Sequence, residues 1–326
     1  MTLPAAGYRD LVAEHLRRSD RPSGTAEVIP GVGDRLAYNP CVVRQGPRTL
    51  LAVRVESRDS YWRDASRWDP QVRFYERTGD GWRPAEDTPV FTAAEDPFAA
   101  WVRGPGGEPV LVFGVVSLDF HHDPPRVVTR FHAAPDVARL DPASPFAEVP
   151  DMKDIRLLQR PDGLAVCGRP QGGTAGRGRV SLIMAEDHTE LSAQLIGKAH
   201  VFHDQVAEDT KLGVNELYDL GDHIGVLGHV AVGEEGGPQE YAGACWTIDP
   251  AARTATTPRV IAMRSDFPPA PPKRADLTDV VFPGSMEALD GGLVRVYCGL
   301  SDASIGSIVM PSPFPPAPGR RDGGGP

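Results

Sequence analysis

The feature that most constrains this chain is a repeat. Five stretches share one pattern: a short acid or amide, an apolar strand, a Gly-bearing turn, then a stronger apolar strand that runs out into polar residues. They are YNPCVVRQGPRTLLAVRVESRDS from Tyr38, EDPFAAWVRGPGGEPVLVFGVVS from Glu95, MKDIRLLQRPDGLAVCGRPQGG from Met152, GVNELYDLGDHIGVLGHVAV from Gly213 and TDVVFPGSMEALDGGLVRVYCGLSD from Thr278. The anchors Asn39, Asp96, Asp154, Asn215 and Asp279 are 57, 58, 61 and 64 residues apart. Such a period leaves room for about four strands per unit, and strand units repeated around a ring hide their edges without a closed barrel.

The expectation is therefore an all-β chain, a five-bladed β-propeller over residues 36–310. Residues 1–35 form an N-terminal helix and lead-in. The helix is read from YRDLVAEHLRR at 8–18, where Leu11, Val12, His15 and Leu16 have helical spacing. The Pro/Gly-rich tail, 311–326, is expected to be disordered.

Propeller geometry makes the hairpins informative about function. The first strand of each hairpin is innermost, so its starting residues converge on one mouth of a central funnel. The second strand returns antiparallel to the same mouth. Asn39, Asp96, Asp154, Asn215, Glu216 and Asp279 are thus expected around one funnel. Arg54, Glu56 and Arg58 join them from the first hairpin, Lys153, Arg169 and Gln171 from the third, His229 from the fourth and Asp302 from the fifth. Lys273, Arg156, Arg177 and Arg274 are further basic candidates. Crowded carboxylates raise at least one pKa and leave an acid beside an ionised base, the pair that glycosidic cleavage needs. Against this, an Asp at a strand start also caps turns through its own side chain. Asp96, Asp154 and Glu216 are the expected catalytic groups, and the remaining funnel residues the expected substrate contacts.

The net charge of −10 argues against wholesale nucleic-acid binding but leaves room for a local basic pocket. Cys41, Cys167, Cys245 and Cys298 form no Cys-x-x-Cys pair and are expected to be free and buried. The DFHHD run, with Asp119, His121, His122 and Asp123, reads as a loop, and no metal or other cofactor is expected. The Gly-rich QGGTAGRGR at 171–179 has no strand and helix around it to make a P-loop. No charged-then-apolar leader opens the chain and no apolar run approaches ~18 residues, so a soluble cytoplasmic protein without a membrane partner is expected. The sequence is silent on oligomeric state.

The hairpins resemble those of the five-bladed glycoside enzymes. AEDPF at 94–98 is similar to the Glu-Asp-Pro-Arg segment of glycoside hydrolase family 130, the β-mannoside phosphorylases and hydrolases. The resemblance implies that Asp96 is a general acid. MKDIRL (152–157), TDVVFPGSM (278–286) and VYCGLSD (296–302) resemble other segments of that family. Closer still is a bacterial propeller group, domain of unknown function 1861, which the chain resembles over roughly residues 36–310 through MKDIRL, RPQG, GRG, GVNE, VLGH, RSDFP and DVVF in order. Two departures stand out. Phe98 replaces the Arg after Glu-Asp-Pro. Asn39 stands where the related arabinan- and xylan-cleaving propellers carry an Asp base, and it cannot take a proton. The expected function is a glycoside-active enzyme, hydrolase or phosphorylase-like, acting on a small glycoside. The alternatives are an acid-catalysed cyclase or isomerase of a natural-product intermediate from secondary metabolism, and a non-catalytic sugar-binding module.

Overall fold

The computed structural model describes residues 5–79, 81–170, 178–234 and 237–315. Helix α1 (Tyr8–Arg17) and the short strand β1 (Gly24–Glu27) come first. The first hairpin unit is β2 (Leu36–Gln45), β3 (Arg48–Glu56), β4 (Gln71–Thr78) and β5 (Gly81–Pro84), with β6 (Phe91–Thr92) also on β4. The second is β7 (Glu95–Arg103), β8 (Pro109–Asp119), β9 (Arg126–Ala134) and β10 (Ala147–Pro150). The third is β11 (Met152–Arg160), β12 (Gly163–Pro170), β13 (Ser181–Ala185) and β14 (His200–Val201), with the one-turn helix α2 (Ala193–Ile196) before β14. The fourth is β15 (Lys211–Asp219), β16 (Ile224–Val232) and β17 (Glu240–Asp249), whose outer edge carries β18 (Thr254–Ala255) and β19 (Arg259–Ala262). The fifth is β20 (Asp279–Ala288), β21 (Leu293–Leu300) and β22 (Ser304–Pro311). Its outermost position is filled by β1, antiparallel to β22 with Gly24 opposite Ile308.

Each unit is an antiparallel meander whose strands are buried along most of their length, so each sheet offers apolar side chains on both faces to its neighbours. Phe74 and Leu50 of the first unit meet Phe113 and Leu111 of the second. Phe131 of the second meets Ile155 and Leu164 of the third. Cys167 and Leu182 meet Val214 and Trp246, and Leu227 and Ile261 meet Val281 and Val296. Val53 and Tyr75 of the first unit close the circuit against Tyr297 and Ile305 of the fifth. The innermost strands follow the same cycle: β2 contacts β7, β7 contacts β11, β11 contacts β15, β15 contacts β20, and β20 contacts β2.

The expected helix is present, one residue shorter at its C-terminal end. Its His15 ring lies 2.8 Å from the Asp266 carboxylate, fully buried. The lead-in contributes a strand, β1, that the sequence reading did not assign. Of the tail, Pro311 belongs to β22 and Phe314 is buried against Tyr218; residues 316–326 lie outside the described residues. All four cysteines are free and buried. Among the described residues no helix is long and apolar enough to cross a membrane.

Candidate active site

Every inner strand carries a bulge. In β2, β7 and β11 two residues face one on the partner strand: Asn39-Pro40, Asp96-Pro97 and Asp154-Ile155. The first of each pair sits in the left-handed region, with φ of 49° for Asn39, 50° for Asp96 and 53° for Asp154. Asn and Asp are the non-glycine residues that tolerate this conformation best, so the backbone itself helps select the residue type. In β15 and β20 the extra residue is Asn215 and Gly284.

The bulges divide the axis into two ends. At the entry end lies a cavity of ≈ 810 Å³ whose lining includes Asn39, Arg54, Glu56, Asp96, Lys153, Asp154, Arg169, His229, Lys273 and Asp302. These ten expected residues do converge. Five others do not. Asn215, Glu216 and Arg156 line a second cavity towards the opposite end of the inner strands. Arg156 and Glu216 come after the bulges of their strands, whereas Asn215 is itself the inserted residue. Asp279 is exposed at the start of β20, paired with Glu240 of β17. Arg58 is exposed and donates to the Pro272 carbonyl at 2.8 Å. Gln171 and Arg177 lie outside the described residues. Phe98 also faces the second cavity, with the Arg156 guanidinium 4.7 Å from its ring centroid, so the departure at Phe98 falls outside the funnel.

The funnel floor is a charge network. Arg54, under 12% exposed with its guanidinium 4.9 Å from the Tyr38 ring centroid, reaches Glu56 at 3.1 Å, Glu95 at 2.9 Å and Asp96 at 3.4 Å. The Asn39 amide donates to Asp96 Oδ1 at 2.7 Å. Burial pushes the Asp96 carboxyl up, but Arg54, Lys153 and the Asn39 amide outweigh it and hold it below the usual range, ionised. Its neighbour Glu95 goes the other way, raised by burial. Glu56 is tied up by Lys273 and the Tyr38 hydroxyl. Burial opposes its ionisation, yet Arg54 and Lys273 bring it down to about 2. Asp302 contrasts with these. It has no hydrogen-bond or ion-pair partner among the described residues, and burial lifts it to about 6 against the pull of Arg54, with Asp96 adding to the rise.

The third hairpin supplies cations. Lys153 and Arg169 are direct cross-strand partners, so they stand side by side at the funnel wall. Arg169 Nε lies 2.8 Å from Asp154, and Lys153 Nζ 3.6 Å from Glu95. Opposite them, Gly213 has no side chain; a Cβ there would overlap both His229 and Asp154. His229 stacks on Tyr241 at 5.2 Å with 17° between the planes, and burial lowers its pKa to about 4. It is neutral. With Nδ1 given to Asn215 Oδ1 at 2.9 Å, Nε2 is left without a partner among the described residues.

Glu95, Tyr241, Trp62 and Trp68 also line the funnel and were not singled out from sequence. Glu95 was visible as the neighbour of Asp96. The two tryptophans sit in the long polar loop between β3 and β4, where a pair of large aromatics was itself the signal. Of the DFHHD run, His122 and Asp123 reach the rim. Among the described residues no group of three or more His, Cys, Asp or Glu side chains is placed to hold a metal.

Residues 22–316 match the family described as "Protein of unknown function (DUF1861)". The chain belongs to this family. No curated protein matches it. Several solved structures resemble this DUF1861 protein. A mannose phosphorylase from Leishmania mexicana, in complex with phosphate ion, is 25% identical with a TM-score of 0.80, over 94% of this chain and 93% of that one. A GDP-Man-dependent mannosyltransferase from the same organism is 22% identical with a TM-score of 0.81, over 94% of each chain. A β-1,2-mannobiose phosphorylase from Listeria innocua is 14% identical with a TM-score of 0.62, over 90% of this chain and 96% of that one. At the last two identities the likeness is one of fold.

Proposed function

We propose that the five meanders form a five-bladed propeller and that the entry funnel is the active site of a mannoside-active enzyme of the phosphorylase type. The observation that carries this reading is the pairing of a half-buried, hydrogen-bonded Asp96 with adjacent cations, Lys153 and Arg169, around one ≈ 810 Å³ cavity. The resemblance to a mannose phosphorylase with bound phosphate supports it. The relation to glycoside hydrolase family 130 is part of the same reading, supported by a neighbour described as a member of that family at a TM-score of 0.59.

In the forward direction a phosphate oxygen attacks the anomeric carbon, the glycosidic C–O bond breaks, and the leaving oxygen takes a proton. Lys153 and Arg169 hold the phosphate, Arg169 being oriented by Asp154. Asp96 delivers the proton. In the free protein Asp96 is ionised because Arg54, Lys153 and Asn39 hold it so. A bound phosphate dianion cancels part of that positive field, and burial then favours the protonated form. Asp302, half protonated near pH 6, is the neighbouring group able to supply the proton. Asn39 positions Asp96 instead of acting as a base. The polar floor, with carboxylates, Lys273 and His229 Nε2, suits sugar hydroxyls better than a hydrocarbon intermediate.

The test offers the protein manno- and gluco-disaccharides with and without phosphate, then mannose 1-phosphate or GDP-mannose with monosaccharide acceptors. Phosphate-dependent release of a hexose 1-phosphate from a mannoside is expected. No turnover in any arm, from protein whose near-UV circular dichroism shows it folded, would sink the proposal.

A further inference from the structure

The second cavity, at the far end of the inner strands, is ≈ 190 Å³ in volume. That is below the usual size of a drug-sized pocket and suits a smaller molecule. Its polar wall includes two groups with donors to spare, Arg156 and Asn215. Arg156 is 4% exposed. Its Nε donates to the Asn215 carbonyl at 2.6 Å and its Nη1 to the Ile155 carbonyl at 2.8 Å. Among the described residues Nη2 has no hydrogen-bond partner, and no carboxylate forms an ion pair with this guanidinium. The stack on Phe98 gives partial compensation. Asp154 and Asp96 favour its charge through space, but a buried cation with no direct ion pair is costly, and buried charges are ordinarily paired.

Asn215 adds a second, independent donor. It is 3% exposed, its Oδ1 is fixed on His229, and its Nδ2 is buried without a partner. Glu216 also faces this cavity. Its Oε2 accepts from the Met286 N–H at 2.7 Å and from the Tyr218 hydroxyl. Burial pushes its carboxyl up to about 8, so at neutral pH it is uncharged. Arg156 of β11 and Arg44 of β2 are the charged groups that reach it, and both favour ionisation; β16 faces it with Leu227, and Cys41 of β2 lies in the same wall. Gln159 and Ser285 complete the polar side, and Phe98, Trp101, Leu157 and Leu217 give the wall its apolar part.

We propose that this cavity binds a small carboxylate with a short apolar body, its oxygens taken by Arg156 Nη2 and Asn215 Nδ2. The site is separate from the funnel and does not depend on the glycoside reading. Donors on the polar side and hydrocarbon elsewhere fit a short-chain monocarboxylate, whereas free phosphate would leave the apolar wall unused.

Titration calorimetry of the full chain with propionate, and separately with inorganic phosphate, tests this. Saturable one-to-one propionate binding is expected, tighter than phosphate. Arg156→Lys, which keeps the charge and loses the fork, should weaken it by about ten-fold or more. Glu216 supplies a readout that a purely structural role would not move. As pH rises through about 8, wild-type affinity should fall, because ionised Glu216 repels the ligand. Glu216→Gln should bind with no such fall. Absence of saturable propionate binding, phosphate binding more tightly than propionate, or a flat pH profile in the wild type would each overturn the proposal. The folded state of Arg156→Lys is checked by its melting curve; if it does not fold, the Glu216→Gln profile still decides.

Discussion

Asp96 is asked to satisfy two requirements at once. Its left-handed φ of 50° needs a short polar residue or glycine, and its carboxylate is gripped by Asn39 and Arg54. Asp96→Asn keeps the backbone requirement and removes the proton-transfer group, so the protein should fold with an unchanged melting temperature while turnover drops by about 10²–10⁴. Asp96→Ala confounds the two effects and is the poorer experiment. Asp302 defines a pH dependence. With a carboxyl raised to about 6 that must be protonated to supply Asp96, kcat/KM should decline above about pH 6, and Asp302→Asn should abolish that limb of the profile. Glu216 makes a stability prediction. Its folded-state pKa of about 8 lies above the unfolded value, so its neutral form stabilises the fold fully at low pH and that contribution is lost as pH rises through about 8. Glu216→Gln should therefore melt closer to wild type at pH 5 and above it at pH 9, measured by thermal denaturation.

At the level of single elements, the hairpin and its bulge explain what sequence could and could not reveal. Asn39, Asp96 and Asp154 were recognisable as equivalent because all three occupy the same bulge position, with Pro, Pro and Ile following. The equivalence broke at the fourth and fifth units for a geometric reason. Asn215 is the inserted residue itself, so Glu216 after it points to the far cavity; the true fifth bulge is at Gly284, five residues beyond Asp279. A one-residue slip on a strand reverses the face of every side chain, and spacing alone cannot detect it. The returning strands were easier, since Arg54, Arg169 and His229 all lie just opposite the bulge region. Strand β1 was invisible because GTAE has no apolar alternation; its pairing comes from the free edge of β22 and from Glu27 and Thr25 contacts to Ser307. The preceding helix is anchored by a buried polar contact. His15→Ala leaves part of the Asp266 carboxylate unsatisfied and should cost about 1–3 kcal/mol by urea unfolding.

Across the whole molecule, five apolar layers between successive meanders form one unbroken circuit, and the funnel exists because the circuit closes. The fifth meander is completed at its outer edge by β1 on β22, four residue pairs long. Gly24 permits that approach, since a Cβ there would overlap the Phe267 ring. Gly24→Val should lift β1 from its place and lower stability by about 1–3 kcal/mol in calorimetry. Because β1 precedes the first meander and pairs with β22 of the fifth, the fifth meander is completed only when segments far apart in sequence meet. Any folding intermediate that lacks this pairing leaves the edge of β22 open to strands of other chains.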